Sequence, residues 1–300
     1  MFINPYEKVV DTSGKWMKAN FHTHAGTGAG TCGAYGIDEV ISQYKEAGYD
    51  ILTISNHDLF TDTEEYMKNH DLVLINGYEY SNDPHMLCIG NKTAVKGTHQ
   101  HAVDACRSEG GFVILCHPNW QRKEYWPWKD IDKLSGFTGI EIFNSVIFTM
   151  TGSGLATDTW DYILSQGKLV WGFGNDDFHR WHHLGRVWNV IYSPTNNPND
   201  IIEVLNNGGF YVSNGLVLNE FTFDGKCIRV IANLLDPLYI TKSIYRFIGA
   251  NGDVLSEQLG ESGCYELTGK EKYVRVQVIG EHGAMLWTQP IYRFELFKRL

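Results

Sequence analysis

A chain of 300 residues, 43% hydrophobic and 20% charged, carries enough apolar material for one large domain or a large and a small one, and excludes wholesale disorder. A formal charge of −10 argues against a nucleic-acid polymer or an anionic membrane surface as partner, because both require clustered Lys and Arg. No run approaches about 18 uninterrupted apolar residues, and MFINPYEKVVDTSG lacks the pattern of a secretory leader, so a cytoplasmic protein with reduced cysteines is expected.

The elements follow from spacing. Trp16–His24 reads as a strand, after which Ile37, Val40, Ile41, Tyr44 and Ala47 recur at helical intervals and Gly48 supplies the stop. Asp50–Ser55 is a predicted buried strand, and Asp71–Tyr80 and His85–Gly90 are two more across the turn Ser81-Asn82-Asp83-Pro84. A helix over Thr98–Glu109 ends at Gly110 and leads to the strands Phe112–Cys116 and Gly139–Phe143. Leu155–Gln166 is a helix closed by Gly167, Lys168–Phe173 a strand, and Ile201–Asn206 a helix opened by Pro198 and Asn199. This alternation implies an α/β fold with a mostly parallel sheet, and six or seven βα units suffice to close a barrel over residues 1–214. From Gly215 the texture changes to period-two runs joined by DGK, NGD and GEHG turns, which predicts a small antiparallel β-sandwich-like domain over 215–300.

Eleven of the twelve histidines lie at or before residue 183, and the metal-capable ones fall at predicted strand ends. His22 and His24 end the first strand, His57 follows the second, Glu79 ends the third and His85 opens the return strand. His117 follows Phe112–Cys116, Glu141 lies in the next strand, and Asp177 and His179 follow Lys168–Phe173. In a parallel barrel the C-terminal strand ends share one face, so distant residues converge on one pocket. His22-x-His24 and Asp177-x-His179 are i,i+2 pairs, whose side chains share one side of an extended backbone. Imidazole together with carboxylate suits zinc, manganese or iron better than all-oxygen magnesium or calcium sites, and Glu79 has the two oxygens a bridge requires. His99 and His101 on a predicted helix and His70 at a helix end read as non-ligands, while His182 and His183 stand close enough to line a mouth.

In this order, FHTH (21–24), SNHD (55–58), GYEYS (77–81), HMLCIG (85–90), CHPN (116–119), GIEIFN (139–144) and GNDDFH (174–179) resemble the polymerase-and-histidinol-phosphatase (PHP) superfamily of metal-dependent phosphoesterases. NNGGFYVSNG (206–215) and the β-rich tail look more like the branch grouped with carbaryl hydrolase (CehA/McbA-type proteins). The resemblance implies a distorted (β/α)7 barrel, TIM-like in outline, holding two or three divalent transition metals (Zn, Mn or Fe). It places one ion on His22, His24, Glu79 and Asp177, a second on Glu79, His85 and His117, and a third at His57 and His179. Where the family continues to an SDG-like segment, this chain has GTGAGTCGAY with Cys32, and the usual TDH is Ser55-Asn56-His57.

The expected chemistry is hydrolysis by a metal-bridged hydroxide without a covalent intermediate, acting as a phosphoesterase on a small phosphorylated metabolite or nucleotide. His57 or His179 would protonate the leaving group where no third metal is held. Arg186 is the first candidate for holding phosphate, with Arg180, Lys123 and Arg122 behind it, and Asn119 and Asn144 are candidate substrate or ligand-orienting amides. Glu141 points inward as an orienting carboxylate or a general base. Trp120, Trp126, Trp128 and Trp181 fall in two loops after strands. Two other readings stand beside this one: a carbamate, amide or carboxylic-ester metallohydrolase, marked by an aromatic slot in place of converging cations, and a non-catalytic metal-stabilised binding module.

Overall fold

The computed structural model describes residues 1–7, 14–121, 125–235 and 241–299. The first half runs β1 (Lys15–Asn20), α1 (Ile37–Glu46), β2 (Ile51–Leu52), β3 (Val73–Leu74), β4 (Gly77–Tyr80), β5 (Met86–Ile89), α2 (His99–Ser108), β6 (Phe112–Leu115) and β7 (Gly139–Asn144). There follow α3 (Thr157–Ser165), β8 (Trp171–Asn175), β9 (Trp188–Ser193), α4 (Pro198–Asn207) and β10 (Phe210–Ser213). Local chemistry accounts for the boundaries. The Thr98 hydroxyl caps α2 by accepting from the His101 N–H, the Asn197 side chain caps α4, and Gly208 ends α4 in the left-handed conformation a glycine adopts without a Cβ penalty.

These strands form two sheets. Strands β8-β7-β6-β5-β4 make a five-stranded sheet, while β3-β2-β1-β9-β10 belong to an eleven-stranded one. Single parallel bridges link them where the strands run out, Thr23 to Phe178 and His57 to Glu79. The closed (β/α)7 barrel expected from the sequence is therefore not what the described residues form; the fold is a mixed α/β arrangement with a site at the junction of two open sheets. The reasons are local. The turn after Tyr80 is too short for a crossover helix, so β5 returns antiparallel on β4 and pairs antiparallel with β6 as well. β9 also runs antiparallel to β1. The predicted strand Asp71–Tyr80 splits at Asn76, whose side-chain oxygen accepts from the Thr63 N–H and hydroxyl, and its halves enter different sheets.

Beyond Gly215 come β11 (Leu216–Phe223), β12 (Cys227–Leu234), β13 (Ser243–Ile248), β14 (Val254–Gly260), β15 (Gly263–Glu266), β16 (Tyr273–Ile279) and β17 (Met285–Thr288). β11, β12 and β15 form a three-stranded antiparallel sheet, and they share one apolar cluster with β13, β16 and β17, around Ile228, Val230, Tyr245, Phe247, Val276 and Val278. The large sheet runs across residue 215, because β17 pairs with β10. A buried ion pair ties the two regions further, with Arg275 donating from Nε to Asp161 Oδ1 at 2.7 Å and from Nη2 to Oδ2 at 2.5 Å. Among the described residues no helix is long and apolar enough to cross a membrane.

Candidate metal centre

β1 ends at Asn20, whose amide donates to the His22 carbonyl and the Thr23 hydroxyl and turns FHTH out of the sheet. Phe178 donates its N–H to the His22 carbonyl and accepts from the His24 N–H, which brings Asp177 and His179 alongside. His57 follows β2, Glu79 lies in β4, His85 precedes β5 and His117 follows β6. Asp177 and His117 hold φ of 52° and 32°, left-handed values uncommon outside glycine that cost about 1–3 kcal/mol each and concentrate at functional sites.

The structure brings His22, His24, His57, His85 and His117 around Glu79, with Asp177 against His22 and His24 and His179 beside His24. Glu79 Oε2 lies 3.2 Å from Nε2 of both His22 and His24 and 3.0 Å from His57 Nδ1. Its Oε1 lies 2.8 Å from His85 Nδ1 and 3.5 Å from His117 Nε2. Asp177 Oδ1 closes the first group, 3.3 Å from His22 Nε2 and 3.4 Å from His24 Nε2. The two Glu79 oxygens thus face different sets of imidazoles.

Three observations show that these residues fit divalent ions. Nitrogen and oxygen donors sharing one tetrahedral cation at about 2.1 Å each are about 3.4 Å apart, and the His22–Glu79, His22–Asp177, His24–Glu79 and His24–Asp177 spans of 3.2, 3.3, 3.2 and 3.4 Å are compatible with that value. Buried His22 Nε2, both ring nitrogens of His24, His57 Nδ1, His117 Nδ1 and Glu79 Oε2 have no hydrogen-bond partner, a loss buried polar atoms rarely bear without a bound group. Finally, His22 and His24 are fully buried and Glu79 nearly so, which withholds these atoms from bulk solvent.

Protons take the place of cations in the electrostatics. Burial would lower the His22 imidazole, but the Asp177, Glu79 and Glu141 carboxylates raise it well above the ordinary histidine value, and His24 is raised likewise by Asp177, Cys32 and Glu79. Burial would raise Glu79, but the His22 charge and the close His117 and His24 imidazoles hold it well below the usual carboxylate range. Asp177 is held down in the same way by His22, His24 and His179.

Behind the centre, Glu141 is fully buried. It accepts from His22 Nδ1 at 2.8 Å, the His117 N–H at 2.8 Å, Asn144 Nδ2 at 2.8 Å and Asn175 Nδ2 at 3.0 Å. Asn144 is buried and also donates to Asp177 Oδ2 at 3.2 Å. Asn119 spends its amide on the Leu155 carbonyl and Asp158, with its oxygen accepting from Thr159. Arg186 is exposed; its Nε donates to the His182 carbonyl, and it lines a cleft of about 410 Å³ with Ser145, Phe148, His182, His183 and Asn214. Arg180 is exposed, and Arg122 and Lys123 lie outside the described residues. His183 Nδ1 accepts from the His179 N–H at 3.1 Å, and burial together with His182 and His179 pushes its imidazole down to about 4. His99 donates to the Pro84 carbonyl and His70 pairs with Asp38, both away from the centre.

A second cleft, of about 730 Å³, is lined by Trp120, Gln121, Tyr125, Trp126, Trp128 and Lys129 among others. Trp120 and Tyr125 also pack against the His117 ring at 5.1 and 5.0 Å, so cleft and centre share a wall. Trp181 instead stacks on Tyr35 at 4.0 Å.

Sequence reasoning passed over Asn20, Asn175 and Asp176. Asp176 is fully buried and accepts from the N–H groups of Gly185, Arg186 and Val187 and from the Tyr44 and Tyr49 hydroxyls, with burial pushing its carboxyl up to about 6. It anchors the loop carrying His182 and His183 to the strand end that carries Asp177. The doubled acid in GNDDFH is the signal for it. Cys116 is fully buried and stands with His22 and Glu79 in a third group of metal-capable donors, its thiol kept neutral chiefly by burial.

No family model matches the chain, and no curated protein matches it in sequence. Among solved structures it is similar to a two-domain protein from Bacteroides vulgatus containing a predicted PHP-like metal-dependent phosphoesterase, at 13% identity and a TM-score of 0.56, over 90% of this chain and 92% of that one. At this identity the likeness shows a shared fold.

Proposed function

We propose that this protein is a metal-dependent hydrolase of the PHP kind, acting as a phosphoesterase on a small phosphorylated metabolite or nucleotide. The observation that carries the reading is the set of buried, unpartnered imidazole nitrogens of His22, His24 and His57 around Glu79 Oε2, with His85 and His117 facing Oε1. In it, His22, His24, Glu79 and Asp177 would hold one divalent ion, and Glu79, His85 and His117 a second. Divalent ions held there would supply water activation and charge stabilisation, which phosphate esters need most.

The chain's own residues do the rest. Glu141 keeps the proton of His22 on Nδ1 and leaves Nε2 free for the centre, the orienting role carboxylates play behind metal-bound histidines. With all its partners donating, Glu141 acts as an orienter and not as a general base. Asn144 holds Asp177 and Glu141 in register. Arg186, in the cleft beside Ser145, offers a fixed positive charge to an anionic substrate. His57 and His179, partly exposed at the mouth, give a proton to the leaving oxygen when no third ion is held.

The aromatic cleft beside His117 favours a second reading, hydrolysis of an aryl carbamate or carboxylic ester, which accords with the carbaryl-hydrolase-like look of the tail. A panel of a phosphomonoester, a phosphodiester and an aryl carbamate, with manganese and with chelator, separates the two. Chelator-sensitive turnover of the phosphate esters supports the first reading, and turnover confined to the carbamate supports the second.

A further inference from the structure

We propose that Tyr125 and Trp126 are positioning residues for the His85–His117 side of the centre, two side chains that wall the larger cleft with their rings and hold His85 with their polar atoms. The proposal rests on the reading of that centre and assigns the residues that fix one of its two sides.

The His85 backbone is held at both of its polar groups. Its N–H donates to the Tyr125 hydroxyl at 2.9 Å, and its carbonyl accepts from Trp126 Nε1 and from the Cys116 N–H, each at 3.1 Å. Tyr125 and Trp126 lie 40 and 41 positions from His85 in the sequence, so the fold, and not local chain geometry, brings them here. They are 6% and 5% exposed, and a buried hydrogen bond that is lost there is not replaced by bulk water.

With the main chain clamped, acids face both ring nitrogens. His85 Nδ1 lies 2.8 Å from Glu79 Oε1, and Nε2 lies 3.2 Å from Asp83 Oδ1. For an ion on the Oε1 side, the imidazole proton belongs on Nε2, against Asp83, and the lone pair on Nδ1. Such a site tolerates only about 0.5 Å of displacement, which makes the backbone clamp consequential.

The same segment reaches the second imidazole on that side. The Tyr125 ring lies 5.0 Å from the His117 ring and 5.7 Å from the His85 ring, and Trp120 closes the group at 4.9 Å from Tyr125. Trp126 packs edge-on against His99 at 5.5 Å, and His99 Nε2 donates to the carbonyl of Pro84, the residue before His85. On the other Glu79 oxygen the support is of another kind, with His22 leaning on the Glu141 carboxylate. The two sides of the centre are thus set by unlike walls, a buried acid behind one and the lining of an aromatic cleft behind the other.

The test is a zinc titration of the full-length, chelator-stripped protein against a chromophoric chelator, with His85→Ala marking the equivalent that belongs to the Oε1 side. Tyr125→Phe keeps the ring and removes the oxygen that accepts from the His85 N–H. It should weaken the marked equivalent about 10–100-fold and leave the equivalent on His22 and His24 unchanged. Trp126→Phe should weaken the same equivalent, and excess metal should restore phosphomonoester turnover in both variants. Unchanged affinity in Tyr125→Phe overturns the proposal, and so does an equal weakening of both equivalents, which marks a merely structural role. Turnover of Tyr125→Phe that excess metal does not restore also overturns it and gives the hydroxyl to the substrate. A folded His85→Ala that loses no metal overturns the second ion itself, and this proposal with it.

Discussion

Glu141 Oε1 lies 2.8 Å from His22 Nδ1, and neither residue is reached by solvent. Every other partner of that carboxylate is also a donor: the His117 N–H, Asn144 and Asn175. Glu141→Gln therefore sets an NH2 group against at least one N–H and releases the hold on His22. Metal affinity should fall about 10–100-fold, read by competition with a chromophoric chelator. An unchanged affinity would remove Glu141 from the account.

Protons and cations compete for this centre, and the sign of the pH effect follows. Burial works to lower His57, but the close approach of Cys32 and the Glu79 carboxylate prevails and raises it to about 9. A raised folded value means the proton is held more tightly in the folded chain than in the unfolded one. That stabilisation is complete below the ordinary histidine value and is lost as pH rises through about 9. Metal requires the neutral imidazole, so binding releases protons and tightens over the same interval. Thermal melts of the chelated protein should fall in Tm across that range, while the metal-stabilised increment in Tm grows. Parallel profiles with and without chelator would contradict this.

The two clefts give opposite substrate signatures. Arg186→Ala removes the charge beside Ser145, and a lost charge-assisted hydrogen bond of about 1.5–3 kcal/mol corresponds to a roughly 10–100-fold drop in kcat/KM on a phosphomonoester. Trp128→Ala removes an exposed ring of the other cleft, one that stacks on Tyr162 at 4.0 Å. It should leave phosphomonoester turnover nearly unchanged and depress turnover of an aryl carbamate. Measured with the same substrates, the reverse pattern would select the ester reading.

The Asp161–Arg275 pair is buried, bidentate and joined by the Tyr273 hydroxyl at 2.8 Å. Removing one member strands the other charge, so Asp161→Ala should cost about 3–5 kcal/mol in denaturant unfolding. Metal stoichiometry of the folded fraction should not change, because the pair lies outside the candidate centre.

The centre was more legible in the sequence than the architecture around it. Period-two and helical spacings place His22, Glu79, His117 and Asp177 at strand ends, and the short turn between Tyr80 and His85 brings Glu79 and His85 together. What spacing does not encode is which sheet a strand joins. Val73–Leu74 and Gly77–Tyr80 read as one apolar run, and they part at Asn76, which accepts from the Thr63 N–H and hydroxyl. Glu141 was recognisable as inward-facing, but three of its four donors come from segments other than its own strand. Cys32 reaches His179 through a glycine-rich loop whose path depends on Asn56 and Gly33, a contact no local pattern announces.

The central claim is that Glu79 bridges paired ions, and elemental analysis of the wild type beside Glu79→Ala tests it most directly. The wild type should carry at least about two equivalents of transition metal and the variant less than about one, at equal folding by circular dichroism. A folded variant holding as much metal as the wild type would contradict the account.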